Sequence, residues 1–215
     1  MAASAGGMVV DADAVRRQWA DRSGEFSPAY YAHYGPNRTS EVLLDVLDRF
    51  VGREAAILEL GCSSGRHLSH LHRHGFDNLA GIEINEDAFD VMADAYPDLA
   101  ARGTFYPGAI EEVVDRFEDG CFDAVYSVET LQHLHPETDW VFESLARITD
   151  DLLVTVENEG GDSTGEGDCE PGVNYVNGDV PLYYRNWNRI FTDLGFEQVA
   201  VKSGDRDTVR TFRTR

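Results

Sequence analysis

The sequence predicts an α/β fold: a doubly wound, mostly parallel seven-stranded sheet with an antiparallel C-terminal hairpin and an N-terminal helical extension. Three observations predict it. Short apolar segments alternate with segments of helical period between residues 55 and 156. The chain ends in two alternating segments, 196–202 and 208–213, joined by the turn sequence Ser-Gly-Asp-Arg-Asp. A length of 215 residues with 42% hydrophobic residues suits one domain with a full core.

Residues 1–37 are predicted to form a helical extension ahead of this domain. Residues 11–23 can form a short charged helix, and residues 27–36 are an aromatic-rich stretch that ends in Gly-Pro. The tyrosines of this stretch are candidates to cover a cofactor or to stack on an acceptor, and the alternative is that they only pack the extension on the domain. They are Tyr30, Tyr31 and Tyr34.

The domain itself is predicted over residues 38–215. Thr39 or Ser40 can cap its first helix, whose apolar positions follow a 3.6-residue period up to Gly52. Strands and helices then alternate, which implies parallel strands with right-handed crossovers and a ligand crevice at the carboxyl ends of the strands. The predicted strands are 55–60, 79–84, 103–106, 122–128 and 152–156, and the predicted helices are 64–74, 86–95, 109–117, 137–148 and 183–194.

A ligand-binding turn is predicted after the first of these strands. The sequence Ile-Leu-Glu-Leu-Gly-Cys-Ser-Ser-Gly-Arg-His-Leu (57–68) passes from an apolar run through small residues into a helix. Gly61 and Gly65 allow the sharp bend that brings a ligand close to main-chain N–H groups at a helix N-terminus. Glu83 lies near the end of the second strand, where a carboxylate can accept two hydrogen bonds from a ribose diol.

The glycine spacing of this turn separates two kinds of nucleoside cofactor. A dinucleotide fingerprint, Gly-x-Gly-x-x-Gly, would fall on Gly61, Ser63 and Arg66 and lacks two of its three glycines. The spacing Gly-x-Gly-x-Gly falls on Gly61, Ser63 and Gly65 and lacks only the middle one. With Glu59 two residues ahead, the turn resembles motif I of the class I S-adenosylmethionine (SAM)-dependent methyltransferases, (Asp/Glu)-x-Gly-x-Gly-x-Gly. The antiparallel hairpin at the end of the chain also resembles the last two strands of that fold.

The resemblance covers roughly residues 38–215 and implies that SAM is the cofactor and S-adenosylhomocysteine (SAH) the product. It implies that N–H groups near Gly61 and Gly65 bind the methionine carboxylate and that Glu59 orients the cationic end. Ala109 stands where the family commonly has an adenine-binding Asp, so we expect its neighbours to replace that contact. The implied cofactor-binding residues are Glu59, Gly61, Cys62, Ser63, Gly65, Glu83, Ile84, Ile110, Glu111 and Val128.

Few catalytic side chains are expected, because a sulfonium methyl group is already activated and the protein must mainly align the acceptor and exclude water. Residues 122–136 resemble the fourth-strand motif of the small-molecule methyltransferases, with His133 in a Leu-x-His-Leu context. His133 is the candidate general base, since the ordinary pKa of histidine lies near neutral pH. The alternative is a packed, hydrogen-bonded histidine at the mouth of the strand.

Three other groups have a functional and a structural interpretation. Residues 158–181 are long enough for a binding loop or a surface insertion. The aromatic and arginine side chains in 183–187 suit a planar or anionic acceptor, or ordinary helix packing. Four histidines between residues 67 and 74 have no Cys or acid at ligand spacing, so no metal site is predicted.

The charge balance of the chain limits its partners. Asp and Glu number 39 against 18 Lys and Arg, a net charge of −21 that disfavours binding to a nucleic acid. Acidic residues are dispersed and Lys202 is the only lysine, a composition that resembles proteins of salt-accumulating halophiles. The odd number of cysteines disfavours a disulfide framework, and no run reaches transmembrane length.

The sequence therefore predicts a cytoplasmic SAM-dependent methyltransferase that acts on a small molecule as a monomer or homodimer, without a membrane or nucleic-acid partner. Two alternatives stay open. One is an NAD(P)-dependent oxidoreductase, which the glycine spacing and the closing hairpin disfavour. The other is a non-catalytic SAM-binding protein, which Ala109 keeps open because adenine recognition departs from the family pattern. The acceptor atom is not predicted.

Overall fold

The computed structural model describes residues 11–160, 172–176, 180–204 and 206–215. Its strands are β1 (Ile57–Leu60), β2 (Leu79–Glu83), β3 (Thr104–Pro107), β4 (Phe122–Val128), β5 (Thr149–Glu157), β6 (Gly172–Val176), β7 (Val180–Tyr184), β8 (Phe196–Ser203) and β9 (Thr208–Thr214). Its α-helices are α1 (Ala12–Ala20), α2 (Pro28–Tyr34), α3 (Arg38–Phe50), α4 (Arg66–Arg73), α5 (Asp87–Ala95), α6 (Pro97–Arg102), α7 (Ile110–Val113), α8 (Val141–Ile148) and α9 (Trp187–Asp193).

Seven strands form the main sheet in the order β3-β2-β1-β4-β5-β9-β8. The first five are parallel, and β9 runs antiparallel between β5 and β8. Strands β1 and β2 are buried along their whole length, as expected for parallel strands covered on both faces. The predicted seven-stranded sheet with its C-terminal antiparallel hairpin is confirmed.

Two apolar cores pack against the two faces of this sheet. On one face, side chains of α3 and α4 such as Leu43 and Leu68 pack with Ile57 of β1. On the other face, α8 and α9 contribute Leu145 and Trp187 to a core that also holds Leu58. Neighbouring residues of β1 therefore anchor helices on opposite faces, which fixes the strand between two layers and holds the turn that follows it.

Several element boundaries differ from the prediction. The cap of α3 is Asn37, whose side chain accepts from Thr39 N and Ser40 N, while the Ser40 hydroxyl accepts from Asn37 N in a capping box. Helix α6 was not predicted, and the predicted helix 137–148 begins instead with a 3₁₀ turn before α8. The last helix begins at Trp187, because residues that we assigned to its first turn belong to β7.

Strands β6 and β7 form a separate two-stranded antiparallel sheet that begins inside the predicted loop 158–181 and extends to Tyr184. Residues 161–171 and 177–179 of that loop lie outside the described residues. Within the part of the chain that the structure describes, none of the helices has the length and apolar character needed to cross a bilayer.

Candidate functional site

A cavity opens at the carboxyl ends of β1, β2 and β4, where the strand order reverses between β1 and β4. This switch point is where doubly wound sheets bind ligands. Counted with its open mouth and the solvent space there, the cavity contains about 1080 Å³ not filled by atoms. Ten of the predicted site residues line it: Glu59, Gly61, Cys62, Ser63, Glu83, Ile84, Ile110, Glu111, Val128 and His133.

The turn after β1 is held open by three residues with positive φ angles. Gly61, Ser63 and Gly65 have φ angles of 68°, 48° and 80°. Ser63 therefore adopts the left-handed conformation at the position where the family motif has its middle glycine, so the substitution keeps the backbone path of the turn.

Gly65 differs from our expectation. It does not line the cavity, and its N–H donates to the carbonyl oxygen of Cys62 at 2.8 Å. The Cys62 N–H donates to Ile82 O, and the Ser63 N–H donates to the Glu83 carboxylate. Three N–H groups of this turn are thus used inside the protein. Gly65 instead serves as the N-cap of α4 in a left-handed conformation that glycine adopts without strain.

Gly61 faces a side chain that leaves no room for a Cβ atom. A Cβ there would lie 2.5 Å from Thr130 Cγ2 and 3.0 Å from Thr130 Cβ. Gly24 has a similar φ angle of 71° but nothing within 4 Å of a Cβ position. Comparing alanine substitutions at Gly61 and Gly24 therefore separates the cost of the backbone conformation from the cost of the contact with Thr130.

We expect Gly61→Ala to lower the free energy of unfolding by about 3 kcal/mol and Gly24→Ala by about 1 kcal/mol, because both substitutions strain φ but only the first overpacks the turn. Urea denaturation of the two variants measures the difference. Adding Thr130→Ala to Gly61→Ala should recover part of the loss. Equal losses for the two glycine variants would contradict the role of the Thr130 contact.

Glu83 organises the segment that follows β2. Its carboxylate accepts from Ser63 N at 2.7 Å and from Asn85 N at 2.8 Å, one bond to each oxygen. Burial raises the pKa of this carboxyl group above its ordinary value. Each carboxylate oxygen keeps a further lone pair, so the group can still accept two hydrogen bonds from a ligand in the cavity. The side-chain amide of Asn85 donates to the Arg22 carbonyl at 3.0 Å and thereby ties this segment to the extension.

Glu59 lies beneath the turn and is 1% exposed. The Tyr126 hydroxyl donates to its Oε2 at 3.0 Å. Burial raises the pKa of Glu59 to about 8, against the weaker opposite effects of Tyr126 and the Arg66 charge. Burial also raises the pKa of Cys62 well above that of an ordinary thiol, which makes Cys62 a packed side chain and not a nucleophile.

His133 is 7% exposed, and both of its ring nitrogens have partners. Nδ1 lies 2.8 Å from the carbonyl oxygen of Pro181, which can only accept, so the proton is on Nδ1. Nε2 lies 3.3 Å from Gln132 Nε2, and the Gln132 carbonyl oxygen accepts from Asn158 N, which orients the amide to donate. Burial lowers the pKa of His133 to about 4. These contacts support the packed alternative over a general base.

This assignment predicts the protonation of His133 directly. Long-range ¹H–¹⁵N spectra should show a neutral ring with the proton on Nδ1 from pH 8 down to pH 5, because the folded pKa is about 4. The stabilisation that a neutral His133 contributes is present above pH 6.5 and is lost as the pH falls from 6.5 towards 4. His133→Asn assigns the signals. Titration of this ring near pH 6.5 would contradict the buried, satisfied state.

The turn that carries His133 is anchored by a residue that we did not predict. Glu157, at the end of β5, is fully buried and accepts from Leu131 N at 3.1 Å, Gln132 N at 3.2 Å and the Ser127 hydroxyl. It therefore binds the N-terminal end of the 3₁₀ turn Leu131–His133. A glutamate that ends a strand gives no sequence signal for this role.

The N-terminal extension forms part of the cavity wall, which we predicted only for its tyrosines. Tyr31 lines the cavity, whereas Tyr34 is 65% exposed. Helix α1 contributes Val15 and Trp19, and the Trp19 ring lies 4.7 Å from the His133 ring between centroids. The i,i+4 spacing of Val15 and Trp19 in a charged stretch indicates an apolar helix face, and we did not predict it.

Two other predicted groups have structural roles. The Arg185 guanidinium donates to Leu134 O at 2.7 Å and to Asp139 at 2.8 Å, and Trp187 is fully buried in the core. His67 lies in the cavity wall with Nδ1 2.8 Å from the Ser40 hydroxyl. Across the described ranges of the chain, no three His, Cys, Asp or Glu side chains are grouped as metal ligands.

Sequence comparison with known families matches the segment that builds most of this cavity. The sequence model described as "Methyltransferase domain" matches residues 57–151, from the start of β1 into β5. Residues 57–151 belong to the methyltransferase domain family. The prediction of a methyltransferase is thereby confirmed at the level of the family.

Two curated relatives share parts of this methyltransferase domain. The O-antigen chain terminator bifunctional methyltransferase/kinase WbdD of Escherichia coli is 34% identical over 93 residues, 42% of this chain and 13% of the relative. The O-methyltransferase cnsE of Penicillium expansum is 26% identical over 117 residues, 52% of this chain and 42% of the relative. The chain thus spans less than half the length of each relative.

Solved structures share the fold of the methyltransferase domain at low sequence identity. Magnesium protoporphyrin IX methyltransferase (ChlM) from Synechocystis with bound SAM has a TM-score of 0.62 at 16% identity, over 93% of this chain and 89% of that one. A 1,6-didemethyltoxoflavin-N1-methyltransferase from Burkholderia thailandensis, with bound 1,6-didemethyltoxoflavin and SAH, has a TM-score of 0.63 at 16% identity, over 82% and 77%. The predicted class I methyltransferase fold is confirmed.

Proposed function

We propose that the cavity binds SAM and that the protein transfers its methyl group in line to a small-molecule acceptor. The observation that carries the proposal is the Glu83 carboxylate. It is fixed by two backbone N–H groups at the end of β2, in the wall of the cavity, with lone pairs left for a ribose diol.

The other predicted residues fit the same ligand. Buried Glu59 can orient a cationic ammonium group, because an ionised carboxylate in a buried site favours a positive partner. Ile110 and Glu111 lie in the wall where the adenine is expected, and Glu111 lies 3.9 Å from the Arg16 guanidinium of the extension. Adenine would therefore be held by an apolar side chain and the Glu111 region in place of the usual Asp.

When bound, SAM supplies an activated methyl group on a sulfonium. The protein then has two tasks, to hold the acceptor in line and to exclude water. Helix α1 and the Trp19–His133 ring contact form one side of the cavity wall and shield that side from water. Because both nitrogens of His133 are occupied, we propose that it positions Trp19 and that the acceptor arrives with a free electron pair.

The structural neighbours support a small-molecule acceptor. One neighbour was solved with 1,6-didemethyltoxoflavin, and another is named for magnesium protoporphyrin IX. The aromatic lining of Trp19, Phe26 and Tyr31 suits a planar organic acceptor of that size class.

Calorimetric titration with SAM, SAH and NADH at high salt tests the proposal. We expect SAM and SAH to bind in the micromolar range or tighter and NADH not to bind. Tight NADH binding would favour the oxidoreductase, and no binding of SAM or SAH to the folded protein would reject the cofactor. Release of SAH from SAM in the presence of a panel of small acceptors separates an enzyme from a non-catalytic SAM-binding protein.

A further inference from the structure

Arg66 is a cation in the cavity wall that has no counter-ion among the residues the structure describes. It is the first residue of α4, directly after the turn, and it is half-buried. Among the described residues, its guanidinium forms no hydrogen bond and no ion pair. Its contact is with the Tyr31 ring of the extension, 4.5 Å from the ring centroid. The sequence has 39 acidic and 18 basic residues, so an arginine with no acidic partner in the described parts of the chain is unexpected.

A guanidinium in this position is poorly compensated. Burial removes part of the solvation of the Arg66 charge and lowers its pKa. The Tyr31 ring restores part of the loss through a cation–π interaction. The five N–H donors of the guanidinium stay available to a ligand and match the two oxygens of a carboxylate in a planar fork.

Glu59 is the acidic group at the same end of the cavity. The Arg66 charge acts on Glu59, and Glu59 acts on Arg66, although the two groups do not form an ion pair. Both line the cavity next to the turn. A guanidinium and a carboxyl group that ionises when an ammonium group binds are together complementary to an α-amino acid, which carries one carboxylate and one ammonium group.

Three of the N–H groups that the turn could offer to a ligand carboxylate are already used inside the protein. The N–H groups of Cys62, Ser63 and Gly65 all donate to protein acceptors. Arg66 lies beside this turn in the wall of the cavity and can supply a ligand carboxylate with charged donors there.

We propose that Arg66 binds the α-carboxylate at the amino-acid end of SAM and SAH, while Glu59 faces the ammonium group. The inference rests on the proposed function. It makes Arg66 the residue by which the site distinguishes SAH from nucleosides without an amino-acid group, and it assigns Tyr31 the role of holding the guanidinium plane in place.

The test compares SAH with 5′-methylthioadenosine, which has the same nucleoside and no amino-acid group. We expect Arg66→Gln to weaken SAH by roughly 10- to 100-fold and to change 5′-methylthioadenosine by less than about twofold, because only SAH loses a charged hydrogen-bonding partner. Arg66→Lys should fall between wild type and Arg66→Gln, since an ammonium keeps the charge but not the planar fork.

Arg73→Gln is the matched control. Arg73 lies on the same helix and also faces an aromatic ring, that of Tyr96 at 5.9 Å, but it does not line the cavity. We expect it to bind both ligands as wild type does. Thermal melting of each variant establishes that the compared proteins are folded.

Three outcomes overturn the inference. Unchanged SAH affinity in Arg66→Gln would show that its charge serves another group, such as an acceptor carboxylate. Equal weakening of SAH and 5′-methylthioadenosine would show that Arg66 only supports the turn. Failure of folded wild-type protein to bind either ligand would instead reject the cofactor assignment, and with it this inference.

Discussion

Replacing Glu83 with alanine is expected to weaken SAH binding by about 100-fold, or about 3 kcal/mol, with 5′-methylthioadenosine weakened to the same extent. Two losses combine. The ribose loses its acceptor, and the N–H groups of Ser63 and Asn85, which donate to this carboxylate at 2.7 and 2.8 Å, lose their partner. Calorimetric titration of both ligands measures the effect.

Glu86→Ala is the matched control, because Glu86 is an exposed acid three residues further along the same segment. It should bind both ligands as wild type does. The two ligands also separate Glu83 from Arg66, since Glu83→Ala should weaken both and Arg66→Gln only SAH. SAH affinity within about twofold of wild type in folded Glu83→Ala would remove Glu83 from the site.

The second large effect is the release of a proton when SAH binds. Because the pKa of Glu59 is about 8 in the free protein, the group is mostly protonated at pH 7. A bound ammonium group favours the ionised carboxylate and lowers this pKa, so binding should release close to one proton at pH 7. SAH affinity should accordingly rise up to about tenfold per pH unit as the pH increases towards 8 and then level off.

Titration of SAH in buffers of different ionisation enthalpy counts the released protons. Glu59→Gln should abolish most of the release and flatten the pH dependence, whereas Glu54→Gln, at an exposed acid before β1, should leave both unchanged. The raised pKa of Glu59 also affects the stability of the protein without ligand. A raised folded pKa means that the contribution of Glu59 is present below pH 4.5 and is lost as the pH rises towards 8. If SAH binding still releases a proton in the Glu59→Gln variant, another group is the source of that proton.

The sheet and the turn could be predicted because their signals are local. The apolar run of β1, the small residues after it and Glu83 at the end of β2 lie in continuous segments whose periodicity and glycine spacing can be counted. The closing hairpin of β8 and β9 likewise has its alternation and its turn residues in one stretch of chain.

The rest of the site depends on contacts between distant segments. Helix α1 covers the cavity because Trp19 meets His133, 114 residues further along, and no local pattern contains that pairing. The β6–β7 sheet supplies the Pro181 carbonyl that fixes the His133 tautomer, although its residues read as a loop and the start of a helix. In the sequence, Arg66 was considered only because it replaces the third glycine of a dinucleotide fingerprint. Whether a side chain has a partner can be seen only in the folded structure.

The cover formed by the extension affects the rate at which a bound ligand dissociates. Helix α1 and Tyr31 belong to the wall of the cavity, and the Asn85–Arg22 hydrogen bond fastens the extension to the segment that holds the ribose site. We expect a ligand seated beneath this cover to leave faster when the extension detaches. We therefore expect dissociation of SAH, and with it the turnover frequency, to follow the opening rate of residues 12–34, so that cutting the Asn85 tether accelerates exchange even where the equilibrium affinity changes little.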